Sequence, residues 1–128
     1  MYYIRAQTRI GPLAVAFIET AVFTRRVIAL GLDSGLRALQ QELSAHPTAG
    51  VVDPGTGGLR KVRMPDTERA QGKRGGARVH YLYLPRHDVI YLLYVYAKRD
   101  TSTLSADQKH ALKVMAAALA AEWDAQDA

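Results

Sequence analysis

Residues 89–97, VIYLLYVYA, are apolar on both faces of an extended chain. Side chains alternate across a strand, so a strand with one wet face carries polar residues at every second position. This one carries no charge at all and belongs in the interior of a sheet covered on both sides. The chain must therefore supply strand neighbours for it and apolar elements to cover it. The neighbours lie just upstream. ARVHYLYL, residues 77–84, reads as a strand joined to it by the tight connection Pro85-Arg86-His87-Asp88. Before that, GTGGLRKVRM opens on turn glycines and continues as a strand over 59–64, with the basic Gly-rich loop AQGKRGG following. Three such strands in a row make an antiparallel meander.

The remaining segments read as covering elements. LAVAFI, residues 13–18, is a short apolar run behind Gly11-Pro12, and its length favours a strand. Thr20 offers an N-cap to a helix carrying Phe23, Val27 and Leu30, which Gly31 can close in the left-handed conformation. A second helix starts at Asp33 or Ser34, with Leu36, Leu39 and Leu43 as its stripe and Pro47 past its end. PTAGVVDPGTGG, residues 47–58, is a Pro- and Gly-dense loop. A last helix spans about Ser105 to Trp123. Ser105 and Gln108 form a capping box, and Leu112, Met115, Leu119 and Trp123 form a core stripe. The expected fold is α+β: strand, two helices, a three-stranded meander and a C-terminal helix. The sheet is small and antiparallel, the helices lie on one face, and the other face is free for a site.

A chain of 128 residues holds one domain with a real core. It has no cysteine, which excludes a disulfide framework and thiolate chemistry. No apolar run has membrane-spanning length. His46, His80, His87 and His110 have no ligand spacing, so no metal site and no cofactor are expected. GTGGLRK lacks the Lys-Ser/Thr ending of a phosphate-binding loop, and no Ser or Cys nucleophile signature is present. These features point to a cytoplasmic protein that is monomeric unless a partner covers it.

The net charge is +5, and it is unevenly spread. Residues 59–100 hold ten Lys or Arg against four Asp or Glu, whereas residues 101–128 hold two against four. Basicity gathered in one segment is the footprint of a polyanion-binding surface. Alternation places Lys61 and Arg63 opposite the core-facing Val62 and Met64, Arg78 and His80 opposite Val79, and Tyr94 and Tyr96 with Lys98 on one face of the third strand. Lys61, Arg63, Arg78, Lys98 and Arg99 are thus expected on one patch. Arg60 near the strand start, Lys73 and Arg74 in the loop, and His80, Tyr94 and Tyr96 lie beside them. Cations that hold phosphates and rings that stack on bases suit single-stranded nucleic acid.

FIETAVFTRRV, GTGGLRKVRM, GKRGGARVHYLY and VIYLLYVYAKRDTSTLSADQ, in this order and spacing, resemble the RelE/HigB superfamily of bacterial type II toxins, nearest its HigB-like branch. The likeness runs from about Phe17 to the C-terminal helix and leaves residues 1–12 outside as an extension. It implies a RelE-like fold and cleavage of mRNA in the ribosomal A site. It also implies an antitoxin partner of the helix-turn-helix, HigA-like type, through which alone the toxin would meet DNA. The implied chemistry is metal-free: the ribose 2′-hydroxyl attacks the adjacent phosphate and leaves a 2′,3′-cyclic phosphate and a 5′-hydroxyl. The family's basic pair on the first meander strand matches Lys61 and Arg63, its strand-opening arginine matches Arg78, and its basic pair after the last strand matches Lys98 and Arg99. A tyrosine that the RelE branch carries a few residues later has no counterpart in DTSTLS, leaving Tyr96 as a substitute. Roles left open between residues are the base, for which Lys61 among like charges is a candidate, and the acid, for which Lys98 or Arg99 is. Arg63 and Arg78 suit the phosphate oxygens. Two other readings stand beside this one: a ParE-type toxin of the same fold that poisons DNA gyrase, and an inactive RNA-binding relic.

Overall fold

A computed structural model describes residues 4–9, 15–64 and 76–126. Among them the chain forms β1 (Ile4–Arg9), β2 (Ala16–Thr20), α1 (Ala21–Leu30), α2 (Asp33–Ala45), β3 (Val51–Val52), β4 (Arg60–Met64), β5 (Ala77–Leu84), β6 (Val89–Ala97) and α3 (Ala106–Gln126). The fold is α+β, as the sequence leads one to expect. The strands form one sheet in the order β1-β2-β6-β5-β4-β3. The β4–β5–β6 meander is antiparallel throughout. The all-antiparallel expectation needs one correction, because β2 runs parallel to β6, pairing Ala16–Glu19 with Val89–Leu92. Two more strands extend the sheet: β1 pairs antiparallel with β2, inside the stretch read as an extension, and β3 lies within the 47–58 loop and pairs with β4.

The apolar strand explains the layering. β6 lies between β2 and β5 and is buried along most of its length. One face of the sheet packs Phe17, Val62, Met64, Val79, Tyr81, Ile90, Leu92 and Val95 against Phe23 and Val27 of α1 and Leu36, Leu39 and Leu43 of α2. The other face packs Ala16, Ile18, Val89, Tyr91 and Leu93 against Leu112, Ala116 and Leu119 of α3. The expectation of helices on one face alone is therefore overturned. A strand without a polar face needs two covers, and the C-terminal helix is the second.

Local chemistry fixes the helix ends. The Thr20 hydroxyl accepts from the Phe23 amide at 3.1 Å and donates to the Leu93 carbonyl at 2.8 Å, capping α1 while tying it to β6. Gly31 closes α1 at φ 66°, a conformation that costs a Cβ-bearing residue roughly 1–2 kcal/mol. The capping box of α3 is reciprocal: the Gln108 amide donates to Ser105 Oγ at 3.1 Å and the Ser105 amide to Gln108 Oε1 at 2.9 Å. Trp123 Nε1 donates to Tyr91 Oη at 2.7 Å and its ring lies 4.8 Å from that of His87, fastening the far end of α3 over the β5–β6 hairpin.

Candidate nucleic-acid interface

The ladder register builds the site as two rows on the face that α3 covers in part. Arg63 stands opposite Arg78, and Arg78 opposite Tyr96. In the next row Lys61 stands opposite His80, and His80 opposite Tyr94. Directly opposed residues of an antiparallel pair share a face with Cβ atoms about 4.5–5.5 Å apart. The convergence expected from alternation is thus present: two cations on β4, Arg78 and His80 on β5, two tyrosines on β6. Val62, Met64 and Val79 point to the opposite face and are buried. Lys98 and Arg99 follow β6 directly at the end where Arg78 lies, both exposed, and the Lys98 amide donates to the Gly76 carbonyl at 3.1 Å. Arg99 Nε lies 4.0 Å from Asp100.

Exposure sorts this grid. Lys61, Arg63 and Arg78 are half-exposed, with the Arg78 guanidinium 3.5 Å from the Ala77 carbonyl. His80 is 0% exposed and Tyr96 2%, so both lie beneath the surface on which a ligand would rest. Tyr94 is half-buried, and the Arg26 guanidinium lies 4.8 Å over its ring while Arg26 Nε donates to the Val95 carbonyl at 2.5 Å. Its ring is thus already engaged on one side. Arg60 turns away to the sheet edge, where it donates to the Gly50 carbonyl at 2.7 Å. That edge is tight, since a Cβ on Gly50 would meet the Lys61 carbonyl at 2.8 Å. Lys73 and Arg74 lie outside the described residues.

Beneath the cations lies a buried ionic cluster. Asp53 Oδ2 accepts from His80 Nε2 at 2.7 Å, and Asp53 Oδ1 from Lys109 Nζ of α3 at 3.0 Å. Burial alone would raise the Asp53 pKa, but the hydrogen bonds from His80 and Lys109 and the nearby charge of Lys61 outweigh it and hold the carboxyl below its ordinary range. Asp53 is therefore a carboxylate that only accepts, and it fixes the Nε2–H tautomer of His80. Burial lowers the His80 pKa; the bond to Asp53 opposes this, while Lys61 and Lys109 add to it, and the net direction is down. At neutral pH the ring is uncharged. Its Nδ1 has no hydrogen-bond partner among the described residues, nor has the Tyr96 hydroxyl, and the two rings lie 6.0 Å apart. Burial raises the Tyr96 pKa, with Asp53 adding to the shift and Arg78 opposing it, so the phenol stays protonated.

Sequence reasoning placed His80 in the patch but missed Asp53 and Lys109. Asp53 sits in DPGTGG, which reads as a turn, and Lys109 on a helix face that reads as solvent. Nothing local links positions 53, 80 and 109. The one available signal was a histidine on the cationic face of a strand, which calls for a carboxylate. Among the described residues no group of three or more His, Cys, Asp or Glu side chains could hold a metal ion, and no helix is long and apolar enough to cross a membrane. No family model matches the chain.

Proposed function

We propose that the chain is the toxin of a type II toxin–antitoxin pair, a cytoplasmic, ribosome-dependent endoribonuclease that cuts mRNA by 2′-hydroxyl attack. The observation that carries this reading is the ladder placement of Lys61, Arg63 and Arg78 as three half-exposed cations on one sheet face. Lys98 and Arg99 stand at the same end. A phosphodiester laid there meets two guanidinium forks and an ammonium, the arrangement that stabilises the extra charge of a pentacoordinate phosphate. Arg63 and Arg78 hold the non-bridging oxygens, Lys61 stands at the 2′-hydroxyl, and Lys98 or Arg99 serves the departing 5′-oxygen. The resemblance to RelE/HigB toxins supports the same assignment and supplies the ribosome as the body that aligns the message, an effect worth several kcal/mol. A patch this small binds free RNA weakly and with steep salt dependence.

The test is induced expression without antitoxin, with mapping of message ends. The expected result is growth arrest with loss of translation and cuts in ribosome-bound mRNA whose 5′ ends carry a free hydroxyl. Arrest with intact mRNA and gyrase-linked DNA breaks would replace the reading by the gyrase-poisoning one. Equal cleavage of naked and ribosome-bound message would remove the ribosome from it.

A further inference from the structure

The Asp53–His80–Lys109 cluster has no part in the phosphate contacts, yet it is buried directly beneath them. Buried charges are costly and persist where they are paired. Asp53 is paired on both oxygens, which accounts for it and for Lys109. His80 is half accounted for: Nε2 is bonded, while Nδ1 is a buried acceptor with no donor among the described residues. Leaving such an atom without a partner is costly, so a donor within reach is favoured strongly. The residue across the ladder on β4 is Lys61, and that on β6 is Tyr94. Lys61 has a four-carbon stem, three donors and no acceptor.

We propose that His80, held by Asp53, is the positioning residue for Lys61: its Nδ1 lone pair accepts a hydrogen bond from the Lys61 ammonium and holds that group at the floor of the cleft. This rests on the endoribonuclease reading for its function, but its geometry stands apart from it. In the structure Lys61 makes no hydrogen bond to Nδ1; the proposal gives its side chain a second pose, engaged on that atom. A phosphodiester competes with Nδ1 for the same ammonium, and the engaged pose fixes where the charge waits before the substrate arrives. Asp53 contributes by keeping the proton on Nε2, which leaves Nδ1 bare. Protonation of Nδ1 converts the acceptor into a donor and a cation facing Lys61 on β4, with Lys109 of α3 and Arg78 of β5 nearby. Asp53 is the carboxylate against the ring, and Tyr94 and Tyr96 of β6 remain neutral. Proton uptake at His80 therefore expels Lys61 from the pose.

The experiment has two arms. The first uses the folded protein alone and follows the His80 ring nitrogens by NMR against pH, in wild type, Lys61→Met and Tyr96→Phe. The expected result is that Lys61→Met raises the His80 titration, because a repelling charge is gone, and shifts the Nδ1 resonance to that of a free lone pair. Tyr96→Phe changes neither. If Tyr96→Phe moves Nδ1 and Lys61→Met does not, the donor is the tyrosine and the proposal is overturned. If neither variant moves it, the proposal is overturned as well.

The second arm measures cleavage of ribosome-bound message between pH 5.5 and 8. Wild type is expected to lose rate as pH falls through the His80 titration. His80→Gln, whose Oε1 accepts but does not titrate, keeps at least a tenth of the rate and loses that acid limb. His80→Phe, which keeps a ring without an acceptor, loses tenfold or more at every pH. A role in folding alone lowers the melting temperature of the variants but leaves the acid limb where it was, and that result would refute positioning. If the wild type cuts no message at all, the endoribonuclease reading fails, and the NMR arm alone decides the placement of Lys61.

Discussion

Arg78→Ala separates chemistry from stability more sharply than any other single change. Arg78 is half-exposed on β5, between Arg63 and Tyr96, and its guanidinium is 3.5 Å from the Ala77 carbonyl, at the limit of a hydrogen bond. Its removal opens no cavity and leaves no buried partner charge. Surface changes of this kind cost less than about 0.5 kcal/mol. For a domain of this size that is a fall in Tm of less than about 3 °C. It also relieves repulsion from Arg63 across the ladder, so a small gain is equally consistent. At the phosphate the loss is larger. A pre-placed charge or donor at a developing oxyanion is worth about 100-fold in rate or more, close to 2.7 kcal/mol. The assay pairs a thermal melt with end-mapping of ribosome-bound message and a growth curve under induction. The expected result is an unchanged melt, at least 100-fold slower cleavage and relieved arrest. A variant that melts as wild type and cuts at full rate would refute the placement of the phosphate. A Tm drop of 10 °C or more would refute the claim that Arg78 is free of the core.

Three further outcomes follow from packing and charge. Val79→Asp places a carboxylate at a position 0% exposed between α1, α2 and the sheet, and abolishes the folded circular-dichroism signature. Thr20→Ala removes the α1 cap and orphans the Leu93 carbonyl; the cost by denaturant titration is about 2 kcal/mol, and a change under 0.5 would refute the double role. Acidification destabilises the protein in two steps. The folded-state pKa of His80 is below its ordinary value of 6.5 and that of Asp53 below its ordinary 3.8, so the unfolded chain binds more protons in each window. Stability therefore falls first below pH 6.5 until His80 titrates in the fold, then again below 3.8. His80→Gln should lack the first step in a pH series of melts.

The meander and the alternation that gathers Lys61, Arg63 and Arg78 were legible because a period of two is written directly in RKVRM and ARVHY. Both caps of α1 and the Ser105–Gln108 box were legible for a similar reason: each is a contact within a few residues. What escaped was long-range. The parallel pairing of β2 with β6 depends on where α1 and α2 return the chain, and no local pattern records it. VVD contributes two exposed residues to β3, too few to show a period. A β-bulge at His80/Tyr81, with Leu93 the residue passed over on β6, puts both Leu93 and Tyr94 on the α3 side; simple alternation cannot foresee that. Tyr96 is buried with α3 and the segment before it, including Leu104 and Leu112, and His80 against Asp53, which Lys109 of α3 also holds. A reading that left that face open had no cover to place over either residue.

The parallel ladder between residues 16–19 and 89–92 also has a temporal meaning. The strand at the middle of the sheet is the last to be synthesised. Until it emerges, β2 has no interior neighbour, and nothing joins the β1–β2 pair to the β5–β4–β3 strands in one sheet. At roughly 5–20 residues per second the ribosome takes about 4–15 s to traverse that separation. For those seconds the nascent chain carries Phe17, Ile18, Phe23 and Val27 without the β6 residues that help to bury them. Closing so long a loop is also slow in itself. Tyr96 and Tyr94 join Arg78 and His80 in the same event, completing rows that β4 and β5 begin. The full face of cations and tyrosines therefore comes into being only after β6 has been made.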